Sequence, residues 1–221
     1  RIESRGLGDV YKRQPKAVVN VQLTTSDATK TMVAGTAFTT TVDGVDYQFV
    51  TTSDRTAANS GNVVAFDSTE INEGTYVIGK TIVDTSNPDQ KFTLTDPNAD
   101  TSTLTVKVQN STSDTTSTTY TKATDITQLN ASSTVYYLQE AERGRFEVYF
   151  GDGVVSKGLT NGNIVILQYV VTNKGAANGV TAFTSPTAID GVTDVIVTTV
   201  SGAVGGAVSY THLRAHETQS D

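Results

Sequence analysis

Four carboxylates crowd into one short stretch of the sequence, Glu140, Glu142, Glu147 and Asp152, with Tyr136, Tyr137 and Tyr149 beside them. Paired carboxylates are the acid and base of glycoside hydrolysis, and aromatic subsites would be expected next to them. The chain has no tryptophan to add. A second oxygen set, Asp152, Asn161 and Asn163, sits in glycine-rich turns. Calcium is the ion to consider there, but the spacing follows no calcium loop. Asp and Asn in tight turns have a simpler use, because their side chains satisfy backbone groups that the turn leaves open. On that reading Asp152, between Gly151 and Gly153, accepts backbone N–H bonds within its own turn. Asp152→Ala is then expected to destabilise the unit by orphaning those donors.

Other chemistries lack their residues. Nucleophilic catalysis sets Ser, Cys or Thr beside a base, most often histidine. The two histidines, His212 and His216, lie at the C-terminal end, and there is no cysteine. Zinc sites draw on the same two residue types. No glycine-rich loop has the spacing of a dinucleotide or phosphate fingerprint. No catalytic, cofactor-binding or metal-ligating residue is therefore assigned, and no cofactor is expected.

The two ends differ from the rest. Residues 1–14 and 209–221 have no strand period and a different composition. Both read as translated sequencing-adapter sequence and are set aside from fold reasoning, which makes the stretch between them an expected internal fragment. That stretch holds nineteen acidic side chains, eleven basic ones and no histidine. An acidic chain (net charge −7 overall) repels phosphates, and no basic stripe with interleaved aromatics appears. Nucleic acid is thus not expected as a partner. No apolar run is long enough to span a bilayer, and no membrane partner is expected. Abundant threonine and valine favour pleated, half-buried surfaces.

The elements that position the acidic stretch lie in residues 145–180. Phe146, Val148 and Phe150 alternate with Glu147 and Tyr149, the period of a half-buried strand. Gly151-Asp152-Gly153 breaks that strand, and Asn161-Gly162 marks a second turn. Ile164 to Val171 is apolar on both faces except at Gln168, as in a strand covered on both sides. A glycine and asparagine cluster, residues 174–179, closes the unit.

Phe150-Gly151-Asp152-Gly153, then Gly158, Asn161-Gly162-Asn163, an apolar strand ending in Tyr169, and Gly175 with Asn178-Gly179 resembles the baseplate wedge proteins of contractile-tailed bacteriophages. More distantly it is similar to the baseplate J-like family. Asp100 to Leu104, Tyr120 and Ser133 to Leu138 extend the resemblance, which covers roughly residues 30–200. Ser156 stands where the family pattern leads one to expect a glycine, which puts the local turn in question. The resemblance implies a non-enzymatic structural subunit of a ring-like platform around the tail hub. Its implied partners are other baseplate wedge and hub proteins and copies of itself, in a virion assembled in the host cytoplasm.

The remaining chain reads as strands and turns. Residues 17–23 form a strand and Asp27 to Lys30 a turn. Asp43-Gly44 is a two-residue hairpin loop that pairs Val42 with Val45, Thr40 with Tyr47, and Phe38 with Phe49. All six are expected to bury one face together, each pair contributing roughly 0.2–1 kcal/mol over alanine pairs. Residues 51–62 read as a loop with a helical turn at 55–58. Strands are expected at 62–66, 75–83, 91–95, 104–109, 134–139 and 192–200. Residues 110–119 read as an exposed polar loop, 124–129 as room for one helical turn, and 140–143 as a helical turn or charged loop. Turn signals at Asn87-Pro88 and Asp96-Pro97 place a break near Asp96–Asp100. The expectation is an all-β, mainly antiparallel, sandwich-like fold with a few short helical turns. It divides into a first β domain at 15–98, a second at 99–180 with the Phe-Gly-Asp-Gly motif, and the start of a truncated segment at 181–208. Composition alone suits a surface-displayed, adhesin-like sandwich equally well, and less well a glycan-hydrolysing tail enzyme.

Overall fold

In the computed structural model, residues 14–124, 127, 129–172 and 177–205 are described. Alternation starts the fold. In β1 (Lys16–Thr24) Ala17, Val19, Val21 and Leu23 point one way and are buried, while every second residue stays at least partly open. β1 lies between β6 (Val63–Glu73) and β14 (Val195–Val204), antiparallel to both. β6 is long enough to carry two branches on its other side. At its start it pairs β5 (Arg55–Ser60), which pairs β2 (Thr29–Met32). At its end it pairs β4 (Val45–Val50), which pairs β3 (Ala37–Val42). Phe38, Phe49, Phe66, Met32 and Ile71 fill the core of this sheet, joined by Phe183 and Ile189 from the connection before β14. Phe49 and Phe183 meet edge to face at 4.9 Å.

A bulge in β6 separates the two branches. Ser68 has φ 50°, and the β1 register shifts opposite it. The Arg55 guanidinium donates to the Asp67 carbonyl (2.8 Å) and to Thr69 Oγ1 (2.6 Å), and Ser68 N–H donates to Asn20 Oδ1 (2.8 Å). These bonds satisfy groups that the irregular ladder leaves open.

The second sheet runs β7 (Thr75–Ile82), β13 (Ile164–Val171), β9 (Ala99–Gln109), β10 (Ser117–Lys122), β11 (Val135–Glu140), β12 (Phe146–Phe150) and β8 (Phe92–Leu94). Every pair is antiparallel except β10 with β11. Residues 83–91 link its two margins, and Val83, Phe92 and Leu94 pack with Val106, Val165, Leu167 and Tyr169 in one core. The sheet thus curls towards a barrel. β13 sits between β7 and β9 and is buried along nearly its whole length, as its unbroken apolar run requires.

The all-β, antiparallel expectation holds. The hairpin at Asp43-Gly44 has the three expected pairs, with positive φ at both loop residues as a primed turn demands. Its shared face is buried only at the base. Phe38 and Phe49 are inaccessible, whereas Val45 is 54% exposed, because the tip extends past the rest of the sheet. Residues 55–58 are strand β5, not a helical turn; pairing with β2 and β6 overrides a weak local preference. β2 takes Thr29 and Lys30 from the expected turn, and β10 takes 117–119 from the expected loop. Glu142–Gly144 is a short helical turn with Arg143 at φ 61°. Of the helical turn expected at 124–129, residues 125, 126 and 128 lie outside the described residues.

The sheets change over at Gly74, between β6 and β7, rather than near Asp96–Asp100, a stretch that joins β8 to β9 within the second sheet. Strand β14, expected to open a further segment, returns to pair β1. Gly74 (φ +130°) is pressed against β13, where an added Cβ would lie 2.3 Å from the Val171 carbonyl oxygen. Its N–H donates to the Gln48 carbonyl (2.9 Å). Next to it, Thr172 Oγ1 donates to buried Glu73 Oε2 (3.1 Å). A single residue therefore ties β4 of one sheet to β13 of the other.

Candidate functional site

The Phe-Gly-Asp-Gly turn closes the end of β12 that faces away from Gly74. Phe150 meets Phe92 and Tyr120 edge to face at 5.5 and 5.4 Å. Gly151 then bridges Gly158, which pinches residues 151–158 into a closed loop. A Cβ on Gly151 would fall 2.0 Å from Ser156 Oγ and 2.6 Å from its carbonyl oxygen. Asp152 Oδ1 accepts N–H bonds from Val154 (2.9 Å) and Val155 (3.4 Å). Gly153 (φ +87°) donates its N–H to the Ser156 carbonyl (2.9 Å). The Val154 bond, followed by the Val155 bond, holds the Asp152 carboxyl below its usual range. Ser156 is fully buried, its hydroxyl 3.5 Å from Tyr137 OH. Its backbone lies outside the left-handed region, so nothing there demands glycine, and the turn closes with serine in place.

The other motif residues serve nearby ties. Asn161 Oδ1 accepts Thr85 N–H (3.1 Å), and Gly162 N–H donates to the Val83 carbonyl (2.9 Å). Asn163 accepts Thr160 N–H through Oδ1 (2.8 Å) and donates to the Asn110 carbonyl (2.9 Å). Together they lash the loops after β7 and β9 to the start of β13. Tyr169 is buried, its hydroxyl 3.3 Å from Thr95 N and 3.4 Å from Thr95 Oγ1. Gly179 (φ +85°) reaches the first sheet, donating to the Ala203 carbonyl (2.7 Å), beside exposed Asn178. Gly175 lies outside the described residues.

The four carboxylates do not converge. Glu140, Glu142 and Glu147 line an open depression of about 470 Å³ with Lys91, Arg145 and Tyr149. Asp152 stands off the other end of β12, roughly 15 Å away by strand rise. Glu147 is buried with both oxygens engaged: Lys91 Nζ at 3.2 Å from Oε1, and the Tyr149 hydroxyl on Oε2. Gln139 Nε2 in turn donates to Tyr149 OH (2.7 Å). The Tyr149 bond, then Lys91, lowers the Glu147 pKa, and the same bond raises that of Tyr149. A general acid needs the opposite shift. Tyr136 is buried in the core and Tyr137 is turned to Ser156, so neither forms a sugar platform with Tyr149. Among the described residues no group of three or more His, Cys, Asp or Glu could hold a metal ion.

Sequence reasoning missed the join at Gly74. The turn signal at 72–74 was visible, but the contact with Val171 is long-range and leaves no local mark.

Curled and branched sheets and loops lashed by Asp and Asn define an all-β module, in which Glu147 is held by Lys91 and Tyr149. The family model described as "Bacteriophage baseplate wedge protein gp6, third domain" matches residues 77–181. The matched span starts within β7 and ends just past Gly179, so it takes in nearly the whole second sheet. The resemblance carried by the Phe-Gly-Asp-Gly stretch is borne out over that span, and it supports a structural role in a bacteriophage tail baseplate. No curated protein matches the chain.

Proposed function

We propose that this chain is a non-enzymatic wedge subunit of a contractile-tail baseplate, assembling with copies of itself and with neighbouring wedge and hub proteins in the host cytoplasm. One observation carries the reading. The matched family span coincides with the curled second sheet, where Gly151, Asp152, Gly153, Asn161, Gly162 and Asn163 lock turns and strand ends. Such a body transmits force and offers fixed surfaces. Motion is then expected between packed units with discrete arrangements, not within them.

Co-expression with the tail genes that neighbour its own tests this. Affinity capture of the chain should bring down other baseplate proteins in fixed ratio. Capture of the chain alone from cells that assemble complete tails would refute the assignment.

A further inference from the structure

Among the described residues five strands stand at sheet margins, and four are blunted against pairing. β2 has four residues, carries Lys30, and is covered by Asp190, which accepts Thr31 N–H (2.9 Å). β3 exchanges backbone bonds with Thr184 (2.8 and 3.0 Å). β7 contains Gly79 and exposed Lys80. β8 has three residues. Short edges, charges and covering loops are the usual devices against edge-to-edge association.

Over residues 195–201 β14 lacks all three, and its ladder with β1 is regular as far as a bulge at Val200. That run, Val-Ile-Val-Thr-Thr-Val-Ser, has no charge and no proline. Its inner side pairs β1. Among the described residues no backbone group bonds its outer side, since the strap at Val180 reaches only Ala203. Ile196 and Val200, 53% and 56% exposed, flank exposed Thr198 on the outward face.

We propose that this edge pairs antiparallel with the same edge of a second copy of the chain, about a two-fold axis at Thr198. The segment is complementary to itself in that register. Ile196 of each copy faces the other's Val200, Val197 faces Thr199, and Thr198 faces Thr198. β-branched cross-strand neighbours are the favoured pairs of a sheet, and reciprocal contacts are the signature of a two-fold interface. Charge selects the same occupant. On an acidic chain most surfaces repel a second copy, but here Asp194 falls opposite Gly202 and no carboxylate meets another. One edge pair buries far less than the roughly 1,200 Å² of a stable complex. The contact is therefore weak between free chains and gains strength where a larger assembly holds copies together. The proposal rests on strand geometry and stands or falls apart from the baseplate reading.

The parent has no cysteine, so a single thiol reports cleanly. In the full chain, Thr198→Cys should give a disulfide-linked dimer under mild oxidation, whereas Lys80→Cys on the β7 edge should not. Sedimentation of the parent should show concentration-dependent dimers, abolished in Thr198→Lys, whose ammonium groups would oppose each other. Thr198 is exposed, so circular dichroism should show the fold intact; the cross-link decides the matter should that variant misfold. Failure of Thr198→Cys to cross-link, equal cross-linking through Lys80→Cys, or dimers that persist in a folded Thr198→Lys would each overturn the proposal.

Discussion

Replacing Gly74 by alanine should damage the fold more than the same change at any loop-tip glycine. At Gly74 two costs combine. The φ of +130° is a conformation that L side chains rarely adopt, and the new Cβ would sit 2.3 Å from the Val171 carbonyl oxygen and 2.8 Å from Val170 Cγ1. A strained backbone residue costs about 1–3 kcal/mol, and overpacking a tight site about 1–3 kcal/mol more. Gly44 is the internal control. Its φ is +80° but nothing lies within 4 Å of an added Cβ, so only the backbone cost applies. For a chain of this size each kcal/mol moves the melting temperature by about 2–4 °C. Gly74→Ala should therefore melt several degrees below Gly44→Ala, read by circular dichroism, with urea midpoints in the same order. Because Gly74 joins the sheets, the transition should also broaden or split. Equal melting temperatures for the two variants would refute the argument that the sheets are pinned at this residue.

Asp152→Asn should lower the melting temperature at neutral pH. The native carboxylate titrates below its unfolded value of 3.8, so its contribution is present above that value and lost as pH falls through the native one. The gap between parent and variant should start to shrink as pH falls past 3.8 and close once the native carboxyl is protonated as well; a gap that does not narrow with acid would contradict this. Tyr76 has a buried hydroxyl with no hydrogen-bond partner among the described residues, and burial, with Asp54 nearby, pushes its pKa up to about 12. Its unfolded form ionises first, near 10, so it takes stability from the fold as pH rises from there. Tyr76→Phe should be neutral or stabilising at pH 7 and should resist alkaline melting better than the parent. Glu147→Gln should destabilise by breaking the Lys91 and Tyr149 contacts in a buried place, whereas Lys91→Ala should do little because that ammonium is largely exposed. Comparable losses in both thermal melts would mean that the ion pair itself is the source.

Local patterns were legible and long-range ones were not. The hairpin pairs Phe38–Phe49, Thr40–Tyr47 and Val42–Val45 follow from a two-residue turn and strict alternation. Burial at the hairpin tip did not follow, since it depends on how far the neighbouring strands extend. Strand β5 reads as Arg-Thr-Ala-Ala-Asn-Ser, with little β preference, and becomes a strand through its partners. The pairing of β14 with β1 joins residues at opposite ends of the chain, and a turn signal such as Asp96-Pro97 cannot say which sheet continues on either side. The Asp152 turn was readable because its donors lie two and three residues away. The isolation of Asp152 from Glu140 and Glu142 was not, because sequence proximity hides the length of β12.

Antibodies raised against this chain and applied to intact virions offer the most direct test of its place. The account predicts label at the baseplate end of the tail, in every particle, by negative-stain electron microscopy. Label on the host cell surface, or tails that carry none, would contradict it.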